Sequence, residues 1–209
     1  MSLELAIIAP YPELAEMAKQ VCDELEIKAE IAVGDLDEGV KLAKKFVKGG
    51  TEIIISRGGT ATAIMEKVGE HVIEIMVSPY DIIRAVASAK KIGNYIGIVG
   101  FKNVIYGSES LGEILDVKIK GLEIKDESEV LDVIEKAKND NIQVIVGDAV
   151  SVRYSKKQGL KSILVYSGKE SVSMALREAK ELASVRRKER TRAEQFKAIL
   201  DFTYEGIIA

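Results

Sequence analysis

The run Ile53-Ile54-Ile55-Ser56-Arg57-Gly58-Gly59-Thr60-Ala61 holds a strand, a glycine turn and the start of a helix within nine residues. Three successive β-branched apolar residues suit a strand covered on both faces, as in a parallel sheet between two helix layers. The glycines that follow allow a tight turn and close backbone approach. A similar run, Val144-Ile145-Val146-Gly147-Asp148-Ala149, recurs further along, with Ile55 and Val146 separated by 91 residues.

The repeat extends in both directions. Ile8 and Val99, and Ile31 and Leu122, are also 91 apart, and Ser78 and Ser167 follow corresponding apolar runs at a separation of 89. Predicted strands fall at 3–9, 27–33, 52–56, 72–77, 95–101, 117–124, 143–147 and 162–166, with amphipathic helices between them, among them 12–25, 36–48 and 127–138. Strands alternating with helices mean βαβ units and parallel sheets. The expected fold is therefore a duplicated α/β structure of two three-layer α/β/α lobes, each with a four-stranded parallel sheet. The expected domains are a first lobe at 1–78, a crossover helix at 79–91, a second lobe at 92–167, a returning helix and linker at 168–192, and the start of a further domain at 193–209. The helix after each fourth strand is expected to leave its own lobe. Two such lobes facing each other would form a cleft at the carboxyl ends of their strands, where small ligands bind in open α/β sheets.

Composition narrows the function. The 209 residues are 47% hydrophobic and 30% charged, with a net charge of −3, one histidine and one cysteine. That supplies a large core and excludes global disorder. The acidic balance argues against nucleic-acid contact by this segment, and no stretch has the length of a membrane span. A lone cysteine excludes an internal disulfide and fits a reducing, cytoplasmic setting. An amino-acid racemase on such lobes would need two facing cysteines, and Cys22 reads as a small core residue. His71 reads as structural or surface, and no carboxylate pair has a spacing suited to acid–base work. The chain is expected to bind rather than catalyse, with neither cofactor nor metal.

The binding candidates stand where strands end and helices begin. Arg57 offers a planar fork for a carboxylate, with helix N-terminal amides at Gly58, Gly59 and Thr60, and Thr60 able to cap that helix. In Val77-Ser78-Pro79-Tyr80-Asp81, Ser78 suits an N-cap and Pro79 the first helical position. Ser167-Gly168-Lys169-Glu170-Ser171 is its counterpart, with Lys169 adding positive charge. In the second lobe Phe101 could wall a site, Asn103 contact it, and Asp148 either cap the next helix or orient Arg57. Val172, Leu176, Ala179 and Ala183 form a helical stripe, followed by the charged segment 186–192, expected as a solvated helix or linker. Phe196, Ile199 and Leu200 resume a helical stripe, and Glu205-Gly206-Ile207-Ile208-Ala209 looks like an opening strand. An apolar strand there would be an exposed edge, so the chain is expected to be a fragment with another domain following.

Several strings together resemble the N-terminal sensor domain of propionate catabolism activators of the PrpR type. They are Ile54 to Ala61, Ile75 to Ala85, Ile96 to Phe101, Val146-Gly147-Asp148 and Ser167 to Ser171, within a resemblance over about 3–185. The resemblance implies a chelatase-like duplicated fold. It also implies an effector-sensing module of enhancer-binding activators that act with an alternative sigma factor. The expected ligand is a small anionic metabolite in the interlobe cleft, a carboxylate of the methylcitrate type. Pro79 departs from the small residue expected at that point and would stiffen the helix start. The tail from Phe196 looks like the beginning of a PAS domain, with ATPase and DNA-binding domains expected beyond it in the full regulator. The rival reading is an interaction module in which the stripe at 172–183 forms a homodimer.

Overall fold

The computed structural model of the chain describes residues 5–69, 72–105 and 107–206. By their internal contacts these fall into two units, Met1–Met76 with Val172–Ala209, and Val77–Ser171. The chain thus passes from one unit to the other twice, at 76/77 and at 171/172.

The first unit contains β1 (Leu5–Ala9), α1 (Pro12–Glu24), β2 (Glu30–Val33), α2 (Leu36–Lys48), β3 (Ile53–Ser56), α3 (Gly58–Val68) and β4 (Val72–Glu74). Its four strands are all parallel, in the order β2-β1-β3-β4. Successive residues of a strand face opposite sides. Leu5, Ile7 and Ala9 of β1 and Ile53 and Ile55 of β3 accordingly pack with Leu14, Ala18, Val21 and Cys22 of α1. Ile8 and Ile54 point the other way, onto Val40 and Ala43 of α2 and Ile64 of α3. Consecutive apolar residues are needed because both faces are covered.

The second unit begins with α4 (Pro79–Lys90) and β5 (Tyr95–Gly100), then α5 (Lys102–Ile105), α6 (Ser108–Leu115) and β6 (Lys118–Glu123). It continues with α7 (Val130–Asn139), β7 (Val144–Gly147), α8 (Ala149–Lys157) and β8 (Lys161–Leu164). Its parallel sheet has the order β6-β5-β7-β8. Ile96, Ile98, Val144 and Val146 pack on one face with Ile82, Ala85, Val86 and Ala89 of α4. Val99 and Ile145 pack on the other with Val130, Ile134 and Ala137 of α7.

The helix after each fourth strand does leave its own half. α4 follows β4 but builds the second unit's core. α9 (Lys169–Gly206) follows β8, and Val172, Ala175, Leu176, Ala179 and Ala183 are buried against the first unit's sheet. The stripe proposed for dimerisation is therefore core of this unit, not a free surface. α9 then runs on through the charged segment, its residues 187–200 exposed. At 1.5 Å per residue its 38 residues extend about 57 Å. Glu205 and Gly206 are helical, not the opening of a strand. Ile207, Ile208 and Ala209 lie outside the described residues, as do His71 and the first two residues of the strand expected at 3–9.

Pairing register corrects the offset between halves. Ile7 pairs with Ile55 and Ile98 with Val146, 91 further on in both cases. On the outer strands, Ile8 pairs with Ala32 and Val99 with Leu122, so Leu122 answers Ala32, not Ile31, at 90. Ile55 pairs with Ile73 and Val146 with Ile163, again 90. The buried positions Ile82, Ala85, Val86 and Ala89 match Val172, Ala175, Leu176 and Ala179 at the same separation. The equivalent of Ser78 is therefore Gly168, not Ser167, and the equivalent of Asp81 is Ser171.

Candidate functional site

In each sheet the strand order reverses between the first and third strands, which is where an open α/β sheet leaves a crevice at its carboxyl edge. In the first unit that edge carries Tyr11 after β1 and Arg57 after β3. They meet there, with Arg57 Nη1 donating to the Tyr11 hydroxyl at 2.6 Å. Arg57 is half-buried and stands at the N-cap position of α3, in extended backbone, with no side-chain cap bond. Gly58 takes a positive φ of 53°, and an added Cβ would meet nothing within 4 Å, so backbone conformation rather than space favours glycine.

The α3 N-terminus already has an anion. The Gly58 amide donates to Glu74 Oε1 at 3.2 Å. Burial pushes the Glu74 carboxyl above its ordinary range, against the downward pull of the Gly58 amide and the Arg57 guanidinium. Any negatively charged guest beside Arg57 therefore meets this carboxyl group as well. Gly59 is exposed. Thr60, the third residue of α3, does not cap it. Its hydroxyl donates to Asp35 Oδ1 at 2.7 Å and accepts from the Leu36 amide at 3.0 Å. These bonds fix the β2–α2 turn, where Leu36 has a left-handed φ of 43°.

The corresponding edge of the second unit carries Phe101 after β5 and Asp148 after β7. Phe101 is exposed, and Asp148 caps α8 by accepting from the Ser151 amide at 2.8 Å. Asn103 lies in α5, and its side chain is outside the described residues. Tyr80 and Lys169 are exposed at the starts of α4 and α9. Ser167 is buried two residues before α9 begins, so Gly168 rather than Ser167 immediately precedes that helix.

Ser78 forms a capping box. Its Oγ accepts from the Asp81 amide at 3.2 Å, and its own amide donates to Asp81 Oδ2 at 2.9 Å. Asp81 does much more than complete this box. Its buried carboxylate also accepts from the Gly168 amide at 2.7 Å, from Ser171 Oγ at 2.5 Å and from Arg84 Nη2 at 2.6 Å. Arg84 in turn bridges to Glu170, at 3.1 Å. Positions related by the duplication thus converge: the Ser78 and Gly168 amides share one carboxylate, and Asp81 bonds its own counterpart, Ser171. Burial raises the Asp81 carboxyl, but its donors outweigh that and hold it below the usual carboxylate range. An added Cβ on Gly168 would run into the Arg84 guanidinium, so a side chain there would displace the bridge from Asp81 to Glu170.

Sequence reasoning missed Tyr11, Glu74 and Asp81 as members of these clusters. Tyr11 directly follows β1 at the edge where Arg57 was expected, which is a usable signal. Glu74 and Asp81 gave none beyond a carboxylate in a strand and a capping partner. Cys22 is buried in the first unit's core, with its thiol pushed up by burial and by Asp23. Among the described residues no cluster of His, Cys, Asp and Glu could hold a metal ion, and no helix is long and apolar enough to cross a membrane.

The two units are copies of one doubly wound α/β unit, each with polar groups at its switch point. The propionate catabolism activator family model matches residues 23–189, and the chain belongs to that family. It is similar over 89% of its length, at 31% identity and a TM-score of 0.74, to 99% of an NtrC family transcriptional regulator from Clostridium acetobutylicum. It is also similar, at 12% identity and a TM-score of 0.44, to the transcription regulator CcpA of Lactococcus lactis, covering 88% of this chain and 92% of that one. The family is one of transcriptional activators, so this is a regulatory domain and not an enzyme.

Proposed function

We propose that this chain is the effector-binding domain of its regulator and that its effector is a small carboxylate bound at Arg57. The observation that carries this is the Arg57–Tyr11 pair at the switch point of the first sheet, in a domain of a transcriptional activator family. A guanidinium oriented by a neighbouring hydroxyl suits a carboxylate. Glu74 at the same edge favours a compact acid over a highly charged one, because each added negative charge is set against its carboxylate. The output runs along α9, a single helix whose first turns are buried under the first sheet and whose later turns are exposed. Ligand can bias that output only through different affinities for two states of the domain.

The test is a thermal-shift panel of mono-, di- and tricarboxylates, methylcitrate among them, on the parent and on Arg57→Ala. An acid at about a hundred times its Kd adds roughly 2.7 kcal/mol of stability. The reading expects such a shift for one acid in the parent and its loss in Arg57→Ala. A shift retained in full by Arg57→Ala refutes the assigned site.

A further inference from the structure

The second unit contains a cavity that no sequence motif identified. It is a partly open pocket of about 140 Å³ between the start of α4 and the start of α6. Val77, Pro79, Ile82, Val104 and Leu111 give it apolar walls, and Ser78 and Ser108 are its polar lining side chains. Ser108 is only 3% exposed, and its hydroxyl has no hydrogen-bond partner among the described residues. A buried hydroxyl without a partner is destabilising and uncommon. Ser78 Oγ accepts from the Asp81 amide, which leaves its own O–H able to donate.

We propose that this cavity binds a compact aliphatic group of about four to six carbons carrying one oxygen function, the oxygen meeting Ser108 and Ser78. A space of this size admits a body of about benzene size, and walls that are mostly apolar favour a hydrocarbon part in contact with them. The two hydroxyls at the polar part then select a guest with one hydrogen-bonding end. Among the described residues no charged side chain lines the space, so the head group is either a neutral oxygen or a carboxylate met by hydroxyls. The inference goes beyond the sensor reading, since the pocket lies wholly within the second unit. The binding itself requires no contact with Arg57.

The experiment is fluorine NMR of two probes, 4,4,4-trifluorobutan-1-ol and 4,4,4-trifluorobutanoate, titrated with the intact chain. The variants are Leu111→Trp, Val104→Phe, Ser108→Ala and Arg57→Ala, each checked for folding by circular dichroism. Leu111→Trp fills the cavity and is expected to weaken binding at least tenfold. Val104→Phe serves the same purpose should Leu111→Trp fail to fold. Ser108→Ala is expected to weaken binding roughly three- to tenfold, the loss of one hydrogen bond. Arg57→Ala is expected to leave the alcohol probe unaffected. Binding of the alcohol alone identifies a neutral head group, and binding of both probes identifies a shared oxygen contact. Equal binding by the parent and a folded cavity-filling variant, or no binding of either probe at millimolar concentration, overturns the proposal. Loss of carboxylate binding only in Arg57→Ala would overturn the cavity while leaving the sensor reading intact.

Discussion

Replacing Asp81 by asparagine removes a charge without changing the shape of the side chain. In the parent each carboxylate oxygen takes two donors, Oδ1 from Gly168 and Arg84, Oδ2 from Ser78 and Ser171. Asparagine keeps one acceptor and turns an amide group toward two of those donors. Two charge-assisted bonds are lost, and two buried donors are left facing a third. Breaking a buried, hydrogen-bonded charge cluster from one side costs about 3–5 kcal/mol. For a chain of this size each kcal/mol moves Tm by about 2–4 °C, so the variant is expected to melt roughly 10 °C lower near neutral pH. The pH dependence has a definite sign. The folded carboxyl titrates below its ordinary value, so its stabilising contribution is fully present above about pH 4 and is lost as pH falls through the folded value. The gap between parent and Asp81→Asn should therefore narrow on acidification. Thermal melts followed by circular dichroism at several pH values read both effects. A difference under about 2 °C near pH 7, or a gap that does not shrink below about pH 4, would refute the role given to this carboxylate.

Three further outcomes follow from the same structure. Thr60→Val keeps the methyl group packed on Gly39 and removes the hydroxyl that holds Asp35 and Leu36, and should destabilise by about 1–3 kcal/mol in chemical denaturation. Leu176→Ala should destabilise by about 2–5 kcal/mol, while Phe196→Ala on the exposed part of the same helix should stay within about 0.5 kcal/mol. Equal effects from those two would mean that α9 is not divided into a buried and an exposed part. Glu74→Gln removes a carboxylate that stands beside Arg57 while keeping an acceptor for the Gly58 amide, so it should raise affinity for an acidic ligand about three- to tenfold, with the gain shrinking as salt is added; calorimetric titration at two ionic strengths checks this.

Much of the architecture was legible because it rests on local rules. Ile53-Ile54-Ile55 and Val144-Ile145-Val146 announced doubly covered strands, and Ser78-Pro79 announced a helix start. Strand ends were less legible. The predicted strand at 72–77 stops at Glu74 because its ladder runs out with the Ile75 amide on the Ser56 carbonyl, at 2.7 Å. Its counterpart stops at Leu164 after the matching bond from Val165 to Gly147. The segment from residue 27 forms a strand only from Glu30, because the Ile27 amide closes α1 onto Cys22. Because the ladders end early, the serines beyond them are not equivalent, and counting from serine to serine misplaced the repeat by one residue. At the site, Arg57 could be found from its turn, whereas Glu74 and Asp81 act on partners 16 and 87 residues away. Such pairings depend on how the sheet and crossover segments come together, which no local spacing encodes.

Calorimetric titration of the parent and of Arg57→Ala with the same small acid tests the central claim most directly. The account predicts a Kd at least tenfold weaker without the guanidinium, in a variant whose melting temperature in the absence of acid matches the parent to within a few degrees. Identical affinities in the two proteins would contradict it.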